Sequence, residues 1–333
     1  MLADAPPAPP PLTSIQLAGQ RVVFAFSGTD VPRNLRLRIR RGEAAGVLLF
    51  GPNVRSIAQV RSVTRELQAI RRPAGLRAPL VVMVDQEGGL VKRLPGAPYR
   101  SPPQITATRS LAAARSEGRA TARALRSAGV NIDLAPVVDV ARPGSQMEEE
   151  GRSFGRSTTT VGRFARAFTA GLRAGGVAAT AKHFPGFGAA DANTDATRVV
   201  IRTSLSQLRR RDLPPFATVR TQLIMTSSAI YPALDDQPAL LSRRVVTGEL
   251  RQRMGFEGVV VTDSLNAGAL VGRTGVLPRA IRAGNDLLLF TTYASSAHAV
   301  ERLADLLRAG RLSRVRATAT VRRILALRRT LRR

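Results

Sequence analysis

An apolar run, Val81 to Val84, ends abruptly in Asp85, Gln86 and Glu87, followed by a Gly88-Gly89 turn and Arg93. Three more apolar runs finish in the same manner. One leads into Lys182-His183-Phe184-Pro185-Gly186-Phe187-Gly188, one ends near Thr226-Ser227-Ser228, and one ends in Thr262-Asp263-Ser264-Leu265. Carboxylates, an ammonium and an imidazole at strand ends are groups that attack, transfer protons and hold polar ligands by charge-assisted hydrogen bonds. Each run alone has an ordinary structural reading: solvated acids at a turn, a salt bridge or, for Asp263, a helix cap before Leu265. Their recurrence at one kind of position is harder to explain as packing.

Something must bring those ends together. Apolar, β-rich runs are expected as strands at 21–26, 46–50, 80–84, 130–134, 177–181, 223–226, 258–262 and 286–290. Stretches rich in Arg and Ala at helical spacing fall between them, for example 110–128, 159–174, 245–254 and 295–309, and 313–331 reads as a terminal amphipathic helix. Eight strands alternating with helices predict an α/β fold of the (β/α)8 TIM-barrel type, with a doubly wound open sheet as the alternative. Both architectures build their sites at the C-terminal ends of the strands. The Pro-rich segment 1–14 precedes a single expected domain, 15–333.

Composition removes several classes of chemistry. With no cysteine and only His183 and His298, disulfides, thiolate nucleophiles, Cys-based zinc sites and His-rich metal centres drop out. The net charge of +28 invites a nucleic-acid reading. Of 51 basic residues only Lys92 and Lys182 are lysine, which points to codon bias more than to selection for phosphate contacts. The arginines are spread along the chain, aromatics make up 4%, and no nucleic-acid motif occurs, so no specific nucleic-acid partner is expected. A salt-sensitive attraction to anionic polymers or membrane surfaces remains compatible with this charge. No run reaches the roughly 18 apolar residues of a membrane span. The N-terminus lacks signal-peptide features and resembles a linker that follows an export signal. Its compartment is expected to be cytoplasmic if Met1 is the true start, and envelope or secreted if a signal precedes it.

With these residues in view, the chain resembles glycoside hydrolase family 3, in its single-domain β-N-acetylglucosaminidase branch, from about Leu17 to Ala309. The resemblance rests on GVLLFGPNV at 46–54, VDQEGG with VKR, NIDLAPVVDV at 131–140, GRSFG at 151–155, KHFPGFG at 182–188, MTSSAIYP at 225–232, GFEGVVVTDSL at 255–265 and AGNDLLL at 283–289. It implies a barrel, no cofactor and no metal, and a monomer acting on a carbohydrate. The implied reaction is retaining hydrolysis of terminal β-linked N-acetylglucosamine, often from peptidoglycan fragments. The family's nucleophile falls on Asp263, and its sugar-holding residues fall on Asp85, Arg93, Arg152, Lys182 and His183. Retention needs a carboxylate at the anomeric carbon and an acid/base across the bond.

The pattern breaks at the acid/base. The branch normally follows KHFPGHG with four residues and Asp-Ser-His, the His being acid/base and the Asp orienting it. Here Phe187 replaces the His of GHG, Asn193-Thr194-Asp195 fills the dyad positions, and Ser228 stands where the sixth-strand motif usually has His. Three readings follow. Asp195 takes over as acid/base, with Asp191 a second candidate, its carboxyl facing the Asp263 anion in a closed site. Alternatively the enzyme is impaired and serves as a glycan-binding protein, or it hydrolyses a different β-glycoside that needs little acid assistance. Asp is shorter than His, so the first reading requires the loop to compensate. Two other motifs are set aside. The run from Gly186 to Asp191 lacks the third glycine of a dinucleotide fingerprint. The GRSFG run, which would make Ser153 a nucleophile, lacks the buried strand that a nucleophile elbow requires.

Overall fold

The computed structural model describes residues 11–332, so most of the Pro-rich segment expected at 1–14 lies outside the described residues. Eight parallel strands close into a barrel: β1 (Val22–Phe24), β2 (Gly46–Leu49), β3 (Val81–Val84), β4 (Ile132–Asp133), β5 (Ala178–Phe184), β6 (Leu223–Thr226), β7 (Val259–Ser264) and β8 (Leu287–Leu289). Each pairs with its sequence neighbours, and β1 closes on β8 through Val22–Leu288 and Val23–Leu289. The ring excludes the open-sheet alternative, and all eight expected strands lie on it.

Side chains alternate across each strand, as a period of two demands. Val23, Leu48, Val81, Met83, Leu223, Met225, Val259, Val261, Leu287 and Leu289 fill the barrel interior. Val22, Phe24, Val47, Leu49, Val82, Val84, Ile224, Val260 and Leu288 pack outward under the helices. The interior is therefore a packed core. The terminal helix Arg314–Thr330 supplies Ile324 and Leu327 to that core, with Leu331 just after it. Next to them Arg328, wholly buried, donates to the carbonyls of Pro79 (2.7 Å), Ala78 (2.6 Å) and Leu76 (3.2 Å), and to the Gln20 side chain.

The expected helices at 110–128, 159–174 and 295–309 appear as Leu111–Ser127, Thr158–Ala174 and Tyr293–Arg308, with Ser110, Ser157 and Thr292 accepting from the third residue along. The segment expected as an α-helix at 245–254 instead winds as a π-helix, Arg244–Arg253, with Met254 N–H donating to Glu249 C=O at 3.0 Å. Its buried residues Val245, Val246, Glu249 and Leu250 recur at intervals of four, which a wider turn keeps on one face. Among the described residues no helix is long and apolar enough to cross a membrane.

Candidate active site

The inward parity of the strands carries past the core to the charged residues. On β3 the interior positions 81 and 83 lead to Asp85. On β7 positions 259 and 261 lead to Asp263. On β5 position 178 leads to Lys182. His183, one residue on, should then face outward. It lines the pocket instead, and in the same stretch the pairing of β5 with β6 shifts register between Ala181 and Phe184. A like shift between Val261 and Ser264 bends β7 against β8 beside Asp263. Such irregularities re-aim side chains at barrel rims.

The result is a pocket of about 550 Å3 lined by Asp85, Arg93, Arg152, Lys182, His183, Asp195 and Asp263, among others. That volume falls in the range of small-ligand sites, roughly 300–1,000 Å3. All seven residues singled out from the sequence meet there. Asp191 does not line the pocket. Leu48, Phe50, Leu134, Met225, Leu289 and Phe290 supply an apolar wall and floor.

An ion cluster occupies one side. Lys182 Nζ lies 2.6 Å from both Asp85 and Glu87. Arg152 forks onto Glu87 through Nε and Nη2, both at 2.9 Å, and reaches Glu150 at 3.2 Å. Burial opposes charge on Glu87, but Lys182 and Arg152 outweigh it and hold its carboxyl at about 2. Burial likewise opposes the Lys182 ammonium, and Asp85 with Glu87 keeps it above its usual range. Beside them the buried Asp133 carboxyl is pushed well up by desolvation. One of its oxygens accepts from Gln86 N–H at 3.1 Å and the other has no partner among the described residues. Arg93 lines the same pocket with a buried Nε that no group among the described residues accepts from.

The hairpin Gln86–Gly88 with Val91–Lys92 explains how Asp85 and Arg93 share a wall. Gly88 and Gly89 sit at φ +99° and +62°, left-handed conformations that suit glycine in its turn. The fully buried Gln86 laces the hairpin shut, accepting from the amides of Arg93 (3.1 Å) and Leu94 (2.9 Å) and donating to the carbonyls of Leu94 and Ala97.

His183 is oriented by Asp139, a residue to which the sequence had suggested no role. Asp139 lies 2.8 Å from His183 Nδ1 and accepts from the amides of His183 (3.1 Å) and Phe187 (2.6 Å). With Nδ1–H on the carboxylate, Nε2 is left for the pocket. The available signal was the run Ala135 to Val138, apolar and ending in an acid like the other strand ends. The sequence likewise offers Glu87 only as one of the polar groups at the end of the third strand, with no role of its own.

Adjoining the ion cluster through Arg152, a side chamber of about 60 Å3 is enclosed by Asp263, Asp195, His183 and Phe187 together with Gln146, Asn193 and Thr194. Asp263 accepts from Ser264 N–H at 2.8 Å and caps no helix. Burial raises its carboxyl above the usual range, His183 and Lys182 pull it back down, and Asp195 pushes it the same way as burial. Asp195 itself is exposed, so the enclosure expected around it belongs to Asp263 instead. The reason is the path of its loop. Gly268 N–H donates to Asp195 C=O at 2.9 Å, Ala269 N–H donates to Thr194 C=O at 3.0 Å, and the Asn193 side chain accepts from Asp195 N–H at 2.8 Å. These bonds pin the loop along the segment that follows β7. Ser153, the residue of the GRSFG motif, donates to the carbonyls of Asp139 (2.6 Å) and Gly155 (2.9 Å) and closes a loop. Ser228 is buried, and its hydroxyl has no partner among the described residues. Among the described residues no group of three acids or histidines is placed to hold a metal.

Residues 18–327 match the family described as Glycosyl hydrolase family 3 N terminal domain. The chain belongs to glycosyl hydrolase family 3. It is 40% identical over 287 residues to an uncharacterized secreted glycosyl hydrolase of Arthroderma benhamiae, covering 82% of this chain and 80% of that one. To a beta-hexosaminidase of Nitrosomonas eutropha it is 32% identical over 293 residues, covering 83% and 82%. Among solved structures, the β-N-acetylhexosaminidase of Beutenbergia cavernae superposes with a TM-score of 0.86 at 30% identity, over 96% of this chain and 99% of that one. The family 3 β-N-acetylglucosaminidase of Paenibacillus sp. gives 0.89 at 31% identity over 96% of this chain, which spans 63% of that longer protein.

Proposed function

We propose that this family 3 chain is a retaining β-N-acetylglucosaminidase that removes terminal sugars from cell-wall fragments, with Asp263 as nucleophile and Asp195 as acid/base. Asp85, Arg93, Arg152, Lys182 and His183 hold the sugar. The observation that carries this reading is the shared chamber of Asp263 and Asp195, in which the Asp195 charge adds to the upward push on the Asp263 carboxyl. Asp263 attacks the anomeric carbon while Asp195 protonates the departing oxygen. Asp195 then takes a proton from the water that releases the sugar from Asp263. Asp85 and the cationic groups offer directional, charge-assisted contacts to the sugar hydroxyls. The hexosaminidase relatives support the choice of sugar.

The exposure of Asp195 favours one second reading, in which only substrates with good leaving groups turn over. Both are tested with two aryl β-N-acetylglucosaminides, one activated and one not, on the wild type, Asp263→Asn and Asp195→Ala. The expected result is loss of both activities in Asp263→Asn. In Asp195→Ala a drop of roughly 10²–10⁴-fold should fall mainly on the unactivated substrate. Turnover of the activated substrate alone by the wild type would give the second reading. No turnover of either, with N-acetylglucosamine still bound, would make the protein a glycan binder.

A further inference from the structure

A larger cavity, about 980 Å3, lies at the other end of the barrel. Its walls come from segments that enter strands: Arg21 immediately before β1, Arg251 ahead of β7, and Asn285 with Asp286 before β8. The helices Val276–Ala283, Tyr293–Arg308 and Arg314–Thr330 surround it. Eight arginines line this one space against a single carboxylate, Asp286.

That carboxylate is already committed. One of its oxygens takes Arg251 at 2.5 Å and the amide of Val260 at 2.9 Å, and the other takes Arg323 at 2.8 Å. Arg243, Arg279, Arg311 and Arg316 are exposed at the rim, and their guanidinium groups have no hydrogen bond or ion pair with another described residue. Exposed arginines without an acid among the described residues also occur elsewhere, as Arg115 and Arg119 do on the helix Leu111–Ser127, but these four are gathered around one cavity. The positive charge here is felt locally. Burial depresses the Arg21 guanidinium to about 10, and Arg323 adds to the depression while Asp286 resists it. Leu303 and Leu307 give the cavity an apolar side beneath the arginines.

We propose that this cavity binds a phosphate ester, independently of the glycan pocket. One carboxylate satisfies two guanidinium groups here, as Asp286 does. Four further forks around the same space call for a ligand that presents several anionic oxygens together, which a phosphate group does and a monocarboxylate does not. The walls are wide enough for the organic part of the ester, whether that part is a soluble alcohol or the glycerol of a lipid headgroup.

The test compares the wild type with Arg243→Gln/Arg279→Gln/Arg311→Gln/Arg316→Gln. A control, Arg115→Gln/Arg119→Gln/Arg123→Gln/Arg166→Gln, removes the same charge from the exposed faces of helices Leu111–Ser127 and Thr158–Ala174. Glycerol 3-phosphate is titrated by calorimetry, and vesicles of phosphatidylglycerol and of phosphatidylcholine are tested by co-sedimentation. The expected result is saturable binding that the cavity variant weakens by about ten-fold or more and the control leaves unchanged. Binding of glycerol 3-phosphate identifies a soluble ester, and binding confined to phosphatidylglycerol vesicles identifies a lipid headgroup. No binding, or equal weakening in both variants, would overturn the proposal in favour of the protein's general charge. Aryl-glycoside turnover and the melting temperature report folding in every variant, and a failed hydrolase assay leaves this outcome unaffected.

Discussion

The amide of Gly268 donates to the carbonyl of Asp195 at 2.9 Å, so the segment after the proposed nucleophile holds the loop bearing the proposed acid. A Cβ at position 268 would lie 2.5 Å from the Ala196 carbonyl oxygen and 2.8 Å from that of Asp195, and only a hydrogen fits there. Gly268→Ala should push the loop outward. We expect kcat/KM for an unactivated aryl glycoside to fall about ten-fold or more, with a much smaller change for an activated one. Equal losses on both substrates would mean that the contact serves stability alone.

As the proposed nucleophile Asp263 must be ionised to attack, and burial raises its carboxyl. The acid limb of kcat/KM should therefore lie above the value of a free aspartate, roughly 3.9. Lys182 is among the groups that pull Asp263 down. Lys182→Met should move that limb to still higher pH, read from a pH–rate profile with an activated substrate. A limb that stays in place would separate Lys182 from the nucleophile's ionisation.

Glu87 is anionic in the fold down to about 2, against an ordinary value near 4.5. Because its folded value is depressed, its contribution to stability is complete above pH 4.5 and is lost as pH falls toward 2. That contribution is on the order of 3 kcal/mol. Glu87→Gln should cost a similar amount at neutral pH, since it leaves Arg152 and Lys182 with fewer anions. Chemical denaturation at pH 7 and at pH 3 measures both, and the difference between variant and wild type should shrink at the lower pH.

Asp133 carries the opposite sign. Its folded carboxyl is raised by burial, so the unfolded chain ionises first and stability is lost as pH rises above about 4. Asp133→Asn keeps the acceptor for Gln86 N–H and removes the ionisation. The variant should be more stable than the wild type at pH 7 and no more stable at pH 3. A loss of stability at pH 7 would show that an ionised Asp133 is needed.

Arg328 satisfies three carbonyls and Gln20 from a buried position. Arg328→Met should cost on the order of 3 kcal/mol or more, because those acceptors lose their donor away from water. Turnover below the melting transition should be unchanged, since the pocket lies at the far rim.

The barrel was legible because each strand is a short apolar, β-rich run between turn signals, and the parity of those runs extends to Asp85, Lys182 and Asp263. Two features were not legible for a physical reason. Glu87 and Asp139 are ions or hydrogen-bond hubs only because distant segments deliver Arg152, Lys182 and His183 to them, and no local pattern encodes such meetings. Asp195 could be located as a candidate, but its exposure follows from main-chain bonds to Gly268 and Ala269, which side-chain identity does not announce. The π-helix at Arg244–Arg253 escaped for a related reason, since its buried positions at intervals of four also fit an α-helix.

The register shifts in β5 and β7 divide the barrel into two storeys. Below Ala181 and Val261 the strands follow a regular pairing that holds the core, and above those residues pairing with one neighbour is relaxed. The upper storey can therefore be refitted without disturbing the foundations. Phe187 and Asn193-Thr194-Asp195, the positions where the resemblance leads one to expect a histidine and a dyad, belong to those upper furnishings, and a redesign that placed a histidine on that floor would inherit an intact ladder beneath it.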